Sequence, residues 1–71
     1  MNGARFIRRI RKLGRKRGIS VEVVTSRGKG SHVTLLYGSR FTTVPGHRGD
    51  LPKGTLAAML KGLGLTLGDL G

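Results

Sequence analysis

Residues 32–44 read HVTLLYGSRFTTV, and this stretch decides the fold that we predict for the chain. Two runs rich in β-branched and large apolar residues, 32–37 and 40–44, are separated by Gly38 and Ser39 alone. Such runs favour β-strands, and a two-residue connection with glycine at a positive φ is typical of a tight hairpin. Pro45 should end the second strand, because proline has no N–H to donate to the ladder.

The position of the turn also predicts which side chains share a face of the sheet. With the turn at Gly38 and Ser39, residue 37 faces residue 40, and the pairing continues until Val33 faces Val44. Side chains alternate between the two faces along each strand. The face predicted to pack on helices carries Val33, Leu35, Tyr37 and Val44. The opposite face carries His32, Thr34, Leu36, Phe41 and Thr43.

Two segments outside the hairpin have the apolar periodicity of amphipathic helices. Residues 4–17, ARFIRRIRKLGRKR, place three large apolar side chains on one stripe. Residues 53–63 place leucines and a methionine at i, i+3, i+4 and i+7. The β-branched run 19–25, ISVEVVT, predicts a further strand. The order α-β-β-β-α predicts an α+β fold, with two helices on one face of a three-stranded antiparallel sheet.

Capping residues mark the ends of these elements. Asn2 can cap the first helix, and Gly18 can end it in a left-handed conformation. Gly64 is the predicted stop of the second helix. Thr66 and Asp69 can cap a short turn that follows it.

Charge is the strongest signal in the composition. The 71 residues include 14 lysines and arginines and three acidic residues, which gives a formal net charge of +11. A field of this strength predicts a polyanionic partner, with nucleic acid ahead of an acidic protein or an anionic membrane surface. A basic surface that serves only solubility is the alternative. The length predicts one small domain over residues 1–71.

The absence of cysteine excludes disulfides and thiolate metal sites, and it suits a reducing cytoplasm. No apolar run approaches the ~20 residues of a membrane span. With three acidic residues and two histidines, the chain offers too few ligands for a typical zinc site. We therefore expect no metal and no cofactor.

His32 is the candidate for acid–base chemistry. It follows a Gly-Lys-Gly-Ser sequence at the start of a predicted strand, and histidine is the side chain best suited to move protons near neutral pH. RNA cleavage needs a base for the 2′-hydroxyl and cationic groups for the phosphoryl oxygens. The alternative is an ordinary surface histidine. The candidate RNA contacts near it in sequence or in the hairpin are Arg27, Lys29, Gly30, Ser31 and Arg40.

Two further residues have open interpretations. His47 lies in the predicted loop 45–52, where it can hold the loop by hydrogen bonds or contact RNA. Phe41 is the one aromatic residue predicted on the outer face, which is the face of the sheet opposite the helices. It can stack on a nucleobase or form an exposed cross-strand pair with Leu36.

Three segments together resemble a known family. They are GKGSH at 28–32, TTVPGH at 42–47 and KGTLAAMLKGLGL at 53–65. In content and order they are similar to the HicA mRNA interferase toxins, and the similarity covers nearly the whole chain. Gly14 departs from this pattern. Alanine or another helix former is expected there, and glycine should weaken the helix by about 1 kcal/mol.

The resemblance implies a double-stranded-RNA-binding-like α-β-β-β-α fold and metal-free cleavage of mRNA that stops translation. It implies that His32 is catalytic and that His47 is mainly structural. The implied protein partner is a HicB-type antitoxin, bound to a toxin that is monomeric when free and cytoplasmic. An antitoxin docked on the outer face would cover His32, Leu36 and Phe41 at once. A non-catalytic double-stranded-RNA-binding module and a small basic ribosome-associated protein remain the alternatives.

Overall fold

The computed structural model describes residues 1–25, 32–46 and 49–70. The predicted α+β order α-β-β-β-α, matching a double-stranded-RNA-binding-like fold, is confirmed. The first strand, predicted from Ile19, begins two residues later at Val21. The elements in chain order are α1 (Gly3–Arg17), β1 (Val21–Thr25), β2 (Val33–Tyr37), β3 (Arg40–Val44), α2 (Lys53–Gly62) and a 3₁₀ turn (Leu67–Leu70).

The three strands form one antiparallel sheet in the order β1-β2-β3. The predicted hairpin register is confirmed at every pair from Tyr37 opposite Arg40 to Val33 opposite Val44. Gly38 has φ 61°, a conformation that glycine adopts at little cost. The β2–β3 hairpin therefore has the two-residue turn that the spacing predicts.

Both helices pack on the same face of the sheet, as predicted. Leu35, Tyr37 and Val44 point into a core that also holds the apolar stripes of the two helices. Leu35 at the centre of this face is fully buried. The helical members of the core include Phe6, Ile10, Leu13, Met59, Leu60 and Leu63.

The predicted caps of α1 are present at both of its ends. The Asn2 side-chain oxygen accepts a hydrogen bond from the Arg5 backbone N–H at 2.8 Å. Gly18 adopts φ 69° and its N–H bonds to the Gly14 carbonyl. The helix is therefore bounded by local chemistry, independently of the core that it covers.

Gly14 corrects one expectation from the sequence. A Cβ atom at this position would overlap the Val21 side chain and lie 2.7 Å from the Ile19 carbonyl oxygen. Glycine is therefore required by the close approach of β1 to α1, and alanine would not fit without a shift. Glycine lowers the helix propensity of α1 at this position, but the close packing of β1 against α1 leaves no room for a larger residue.

The second helix ends as predicted, with Gly64 at φ 71°. Asp69 then caps the 3₁₀ turn by accepting hydrogen bonds from the Thr66 backbone N–H at 2.8 Å and from the Thr66 hydroxyl at 3.1 Å. Within the described ranges, neither helix is long and apolar enough to cross a membrane.

Candidate functional site

The helices leave the other face of the sheet uncovered, and we call it the open face. Phe41 is 62% exposed and Val24 is 47% exposed, whereas Leu36 on the central strand is half-buried between its neighbours. The open face thus presents apolar side chains to solvent. It is made up of Glu22, Val24, Thr34, Leu36, Phe41 and Thr43.

His32 is exposed and immediately precedes the central strand β2. Strand alternation assigns its position to the open face, with Thr34 and Leu36. The row of paired residues next to it contains Thr25, Val33 and Val44, which are the ends of the three strands. His32 therefore lies at one edge of the sheet, where side chains from several connections can meet.

The structure separates His32 from the apolar pair on its own face. Leu36 pairs with Phe41 four residues further along β2, a distance of about 13 Å along the strand. Thr34 and Thr43 form the row between them. His32 and the pair share a surface that one large partner can cover, but they do not form one compact group.

Two connections begin or end beside His32. The segment 26–31 leaves the sheet after Thr25 and returns at His32, and the loop to α2 begins after Val44. The strand pairing therefore places Thr25 and His32, which flank the glycine-rich segment, at the same edge as Val44, after which the loop to α2 begins. The other predicted site residues lie outside the described residues, namely Arg27, Lys29, Gly30, Ser31 and His47.

Arg40 lies far from this edge. It pairs with Tyr37 beside the hairpin turn, on the face that the helices cover. Its side chain packs over Gly64, where a Cβ atom would lie 2.8 Å from Nε of Arg40. Although Arg40 was a predicted RNA contact, the structure does not bring it together with His32.

A second surface lies on the helical side of the molecule, where the 3₁₀ turn packs beside α1. The sequence predicts both elements, but it gives no sign that they meet. Arg9 donates a hydrogen bond to the Leu70 carbonyl at 3.4 Å. The groove between them, which we call the α1 groove, is lined by Arg5, Arg8, Arg9, Lys12, Leu13, Lys16, Asp69 and Leu70.

One ion pair fastens the 3₁₀ turn to α1. Arg17 donates to Asp69 at 2.9 Å. This hydrogen bond, and to a lesser extent the nearby Tyr37 hydroxyl, raises the pKa of Arg17 above its ordinary value. The Tyr37 hydroxyl is itself buried without a well-aligned hydrogen bond to any described residue. Arg17 is thus committed to an ion pair with Asp69.

Among the described residues, no three His, Asp or Glu side chains gather in a way that could hold a metal ion. The described part of the open face offers the His32 imidazole, the Glu22 carboxylate, and hydroxyl and apolar neighbours.

A family model described as the HicA toxin of bacterial toxin–antitoxin matches residues 3–65. The chain belongs to the HicA toxin family. The matched region runs from the first residue of α1 to just beyond α2, so it includes the whole sheet and the His32 position. Comparison with curated proteins and comparison with solved structures each found no match.

As a HicA toxin, the protein is the toxic member of a toxin–antitoxin system, and an antitoxin is its implied partner. The two surfaces of this toxin differ in their relation to the matched region. The open face and His32 lie inside it, whereas the 3₁₀ turn that forms one wall of the α1 groove follows residue 65.

Proposed function

We propose that this HicA toxin is an endoribonuclease that cleaves mRNA, with His32 as its general acid–base. The observation that carries the proposal is the place of His32, exposed at the end of the central strand and beside the connection that contains Arg27 and Lys29. A positioned histidine and nearby cations are the groups that phosphodiester cleavage needs. The +11 charge supports RNA as the substrate class.

The proposed reaction requires no cofactor. Neutral His32 takes the proton from a ribose 2′-hydroxyl, and the oxygen attacks the adjacent phosphorus. The bond from phosphorus to the 5′-oxygen then breaks, and the imidazolium returns the proton to the leaving oxygen. Arg27, Lys29 and the backbone N–H groups of Gly30 and Ser31 are proposed to bind the phosphoryl oxygens.

The antitoxin is proposed to be of the HicB type and to dock on the open face. The exposed Phe41 and the half-buried Leu36 would supply apolar contact area, and the same partner would cover His32. Binding and inhibition would then result from one contact. We place the toxin in the cytoplasm, where mRNA is accessible, with His47 as a structural residue of the loop that begins beside His32.

The decisive experiment replaces His32 with alanine. The His32→Ala variant should cleave RNA at least ~100-fold more slowly, since that is the usual effect of losing a general acid–base, and it should not arrest bacterial growth when induced. Thr43→Ala, another exposed position on the open face, is the matched control and should remain toxic. Circular dichroism would verify that both variants are folded.

Two results would contradict the assignment. One is full toxicity of a folded His32→Ala variant, which would leave His32 without a catalytic role. The other is inhibition of the unmodified toxin by a chelator with recovery on adding metal, which would contradict the metal-free reaction.

A further inference from the structure

We propose that the α1 groove binds the phosphodiester backbone of RNA at a place separate from His32. The inference rests on RNA as the substrate class put forward above, but it assigns a surface that cleavage itself does not require. Five cations line this groove, which are Arg5, Arg8, Arg9, Lys12 and Lys16.

The charge of this surface is almost entirely of one sign. Eight of the 14 lysines and arginines lie in α1, which contains no acidic residue. Asp69 is the one carboxylate that lines the described groove, and it already accepts hydrogen bonds from Arg17 and Thr66. The positive potential of the groove is therefore available to an external anion.

The spacing of the cations suits an anion with regularly repeated charges. Positions 5, 8, 9, 12 and 16 fall on one side of the helix, and each lies three or four residues from another member of the set. Cations three or four residues apart are separated by roughly 5 Å along the helix axis, and the whole set spans about 16 Å. Three of the five are arginines, whose planar guanidinium groups bind phosphate with two parallel hydrogen bonds.

The composition of the groove favours a nucleic-acid backbone over an acidic protein segment. Protein interfaces draw most of their affinity from large apolar anchors, whereas phosphate contacts are polar and strongly basic. The apolar lining of this groove consists of Leu13, which is 8% exposed, and the partly buried Leu70. The groove thus offers charge without an apolar anchor, in contrast to the open face.

The groove also leaves the proposed catalytic surface accessible. It lies in the helical layer, while His32 lies at the edge of the sheet and is assigned to the opposite face. An RNA segment held by its phosphates along α1 would not cover His32. The groove is therefore a retention surface, which raises the time that RNA spends on the toxin without reading its sequence.

The test compares two variants of equal charge. Arg5→Gln with Arg8→Gln removes two groove cations, and Arg11→Gln with Arg15→Gln removes two exposed arginines of the same helix that do not line the groove. Binding of a fluorescent 2′-O-methyl oligouridylate, which cannot be cleaved, is measured by anisotropy across a range of salt concentrations. A second groove variant, Lys12→Gln with Lys16→Gln, is measured in the same way. Circular dichroism verifies that all three variants are folded.

Both groove variants should bind the oligonucleotide about tenfold more weakly, and the slope of log K against log salt should flatten by about 1.4, or 0.7 for each lost contact. The Arg11 and Arg15 variant should lose less than about threefold, through the general field alone. Equal losses in groove and control variants would overturn the inference.

A second result would also overturn it, namely groove variants that keep RNA affinity but lose binding of a decaglutamate peptide, because the groove would then serve an acidic protein. Since the probe is not cleavable, these results are independent of whether His32 proves catalytic.

Discussion

The carboxylate of Asp69 accepts hydrogen bonds from three donors in two distant parts of the chain. The Thr66 backbone N–H and hydroxyl lie three residues away, and the Arg17 guanidinium lies 52 residues away. The pKa of Asp69 lies below its ordinary value of 3.8. The hydrogen bond from the Thr66 N–H is the largest cause, and the hydrogen bond from Arg17 is the next. The local half of this arrangement could be predicted from the Thr66–Asp69 spacing, but the Arg17 contact depends on the tertiary fold.

This lowered pKa predicts a pH dependence of stability. Because the folded pKa is depressed, the contribution of Asp69 is fully present above about pH 4 and is lost as the pH falls through the folded value. The free energy of unfolding should therefore fall less in Asp69→Asn than in the unmodified toxin when the pH is lowered from about 6 to about 2.5. Urea denaturation at both pH values provides the measurement.

Glu22→Gln is the control for this comparison, since Glu22 is an exposed carboxylate on β1. The loss of stability on acidification should be smaller in Asp69→Asn than in this control. If Asp69→Asn behaves in the same way, the hydrogen bonds to Asp69 do not stabilise the folded state.

At the scale of elements, the contact between α1 and β1 is set by Gly14. Helix propensity alone favours alanine there by about 1 kcal/mol, but a Cβ atom would overlap Val21 and approach the Ile19 carbonyl oxygen. We expect Gly14→Ala to lower the free energy of unfolding by about 1–2 kcal/mol, because overpacking costs more than propensity returns.

Gly54→Ala in α2 is the matched substitution for this test. Among the described residues, apart from its chain neighbours and the nearby backbone of α2, no atom would lie within 4 Å of a Cβ atom at Gly54. Alanine should therefore raise the free energy of unfolding by roughly 0.5 kcal/mol. Urea denaturation of both variants measures the difference. A Gly14→Ala toxin that is more stable than the unmodified one would show that β1 does not approach α1 this closely.

The elements differ in how far the sequence could predict them. The β2–β3 hairpin was predicted with its register, because Gly38 and Ser39 determine the pairing locally. The role of Gly14 could not be predicted, because the residues that demand glycine belong to the next element and meet it only after packing. Local rules therefore succeeded where the deciding contacts lie within a few residues.

At the scale of the whole molecule, the toxin has an apolar open face on one side and a cationic groove on the other. The net charge predicted a polyanionic partner, but it could not locate the binding surface. The α1 groove exists because the 3₁₀ turn packs against α1, which joins residues about sixty positions apart. The catalytic role of His32 was predicted from the resemblance of the Gly-Ser-His sequence to the HicA toxins, and it stays a prediction. Its assignment to the open face follows from the hairpin register, which is determined locally.

The open face carries the prediction on antitoxin binding. Leu36→Ser together with Phe41→Ser should weaken binding of the cognate antitoxin by tenfold or more, since each buried apolar side chain contributes about 1.5–3 kcal/mol. Folding stability should change little, because Phe41 is exposed and Leu36 is only half-buried. Titration calorimetry with purified antitoxin would measure the affinity.

Leu67→Ser is the control, because Leu67 is 63% exposed, about as much as Phe41, but lies on the 3₁₀ turn. It should leave antitoxin affinity unchanged. If the open-face variant binds RNA more weakly while its antitoxin affinity is kept, Phe41 stacks on a nucleobase instead. Unfolding of the double variant would mean that these side chains are needed in the core.

The two-residue turn of the hairpin has a consequence for how this protein can evolve. Adding or deleting one residue between Tyr37 and Arg40 would move every later side chain of β3 to the other face, so that Phe41 turned inward and Val44 turned outward. Such a change cannot be repaired by a single compensating substitution. Lineages descended from a common ancestor should therefore keep the length of this turn constant, and they should accumulate insertions in other connections.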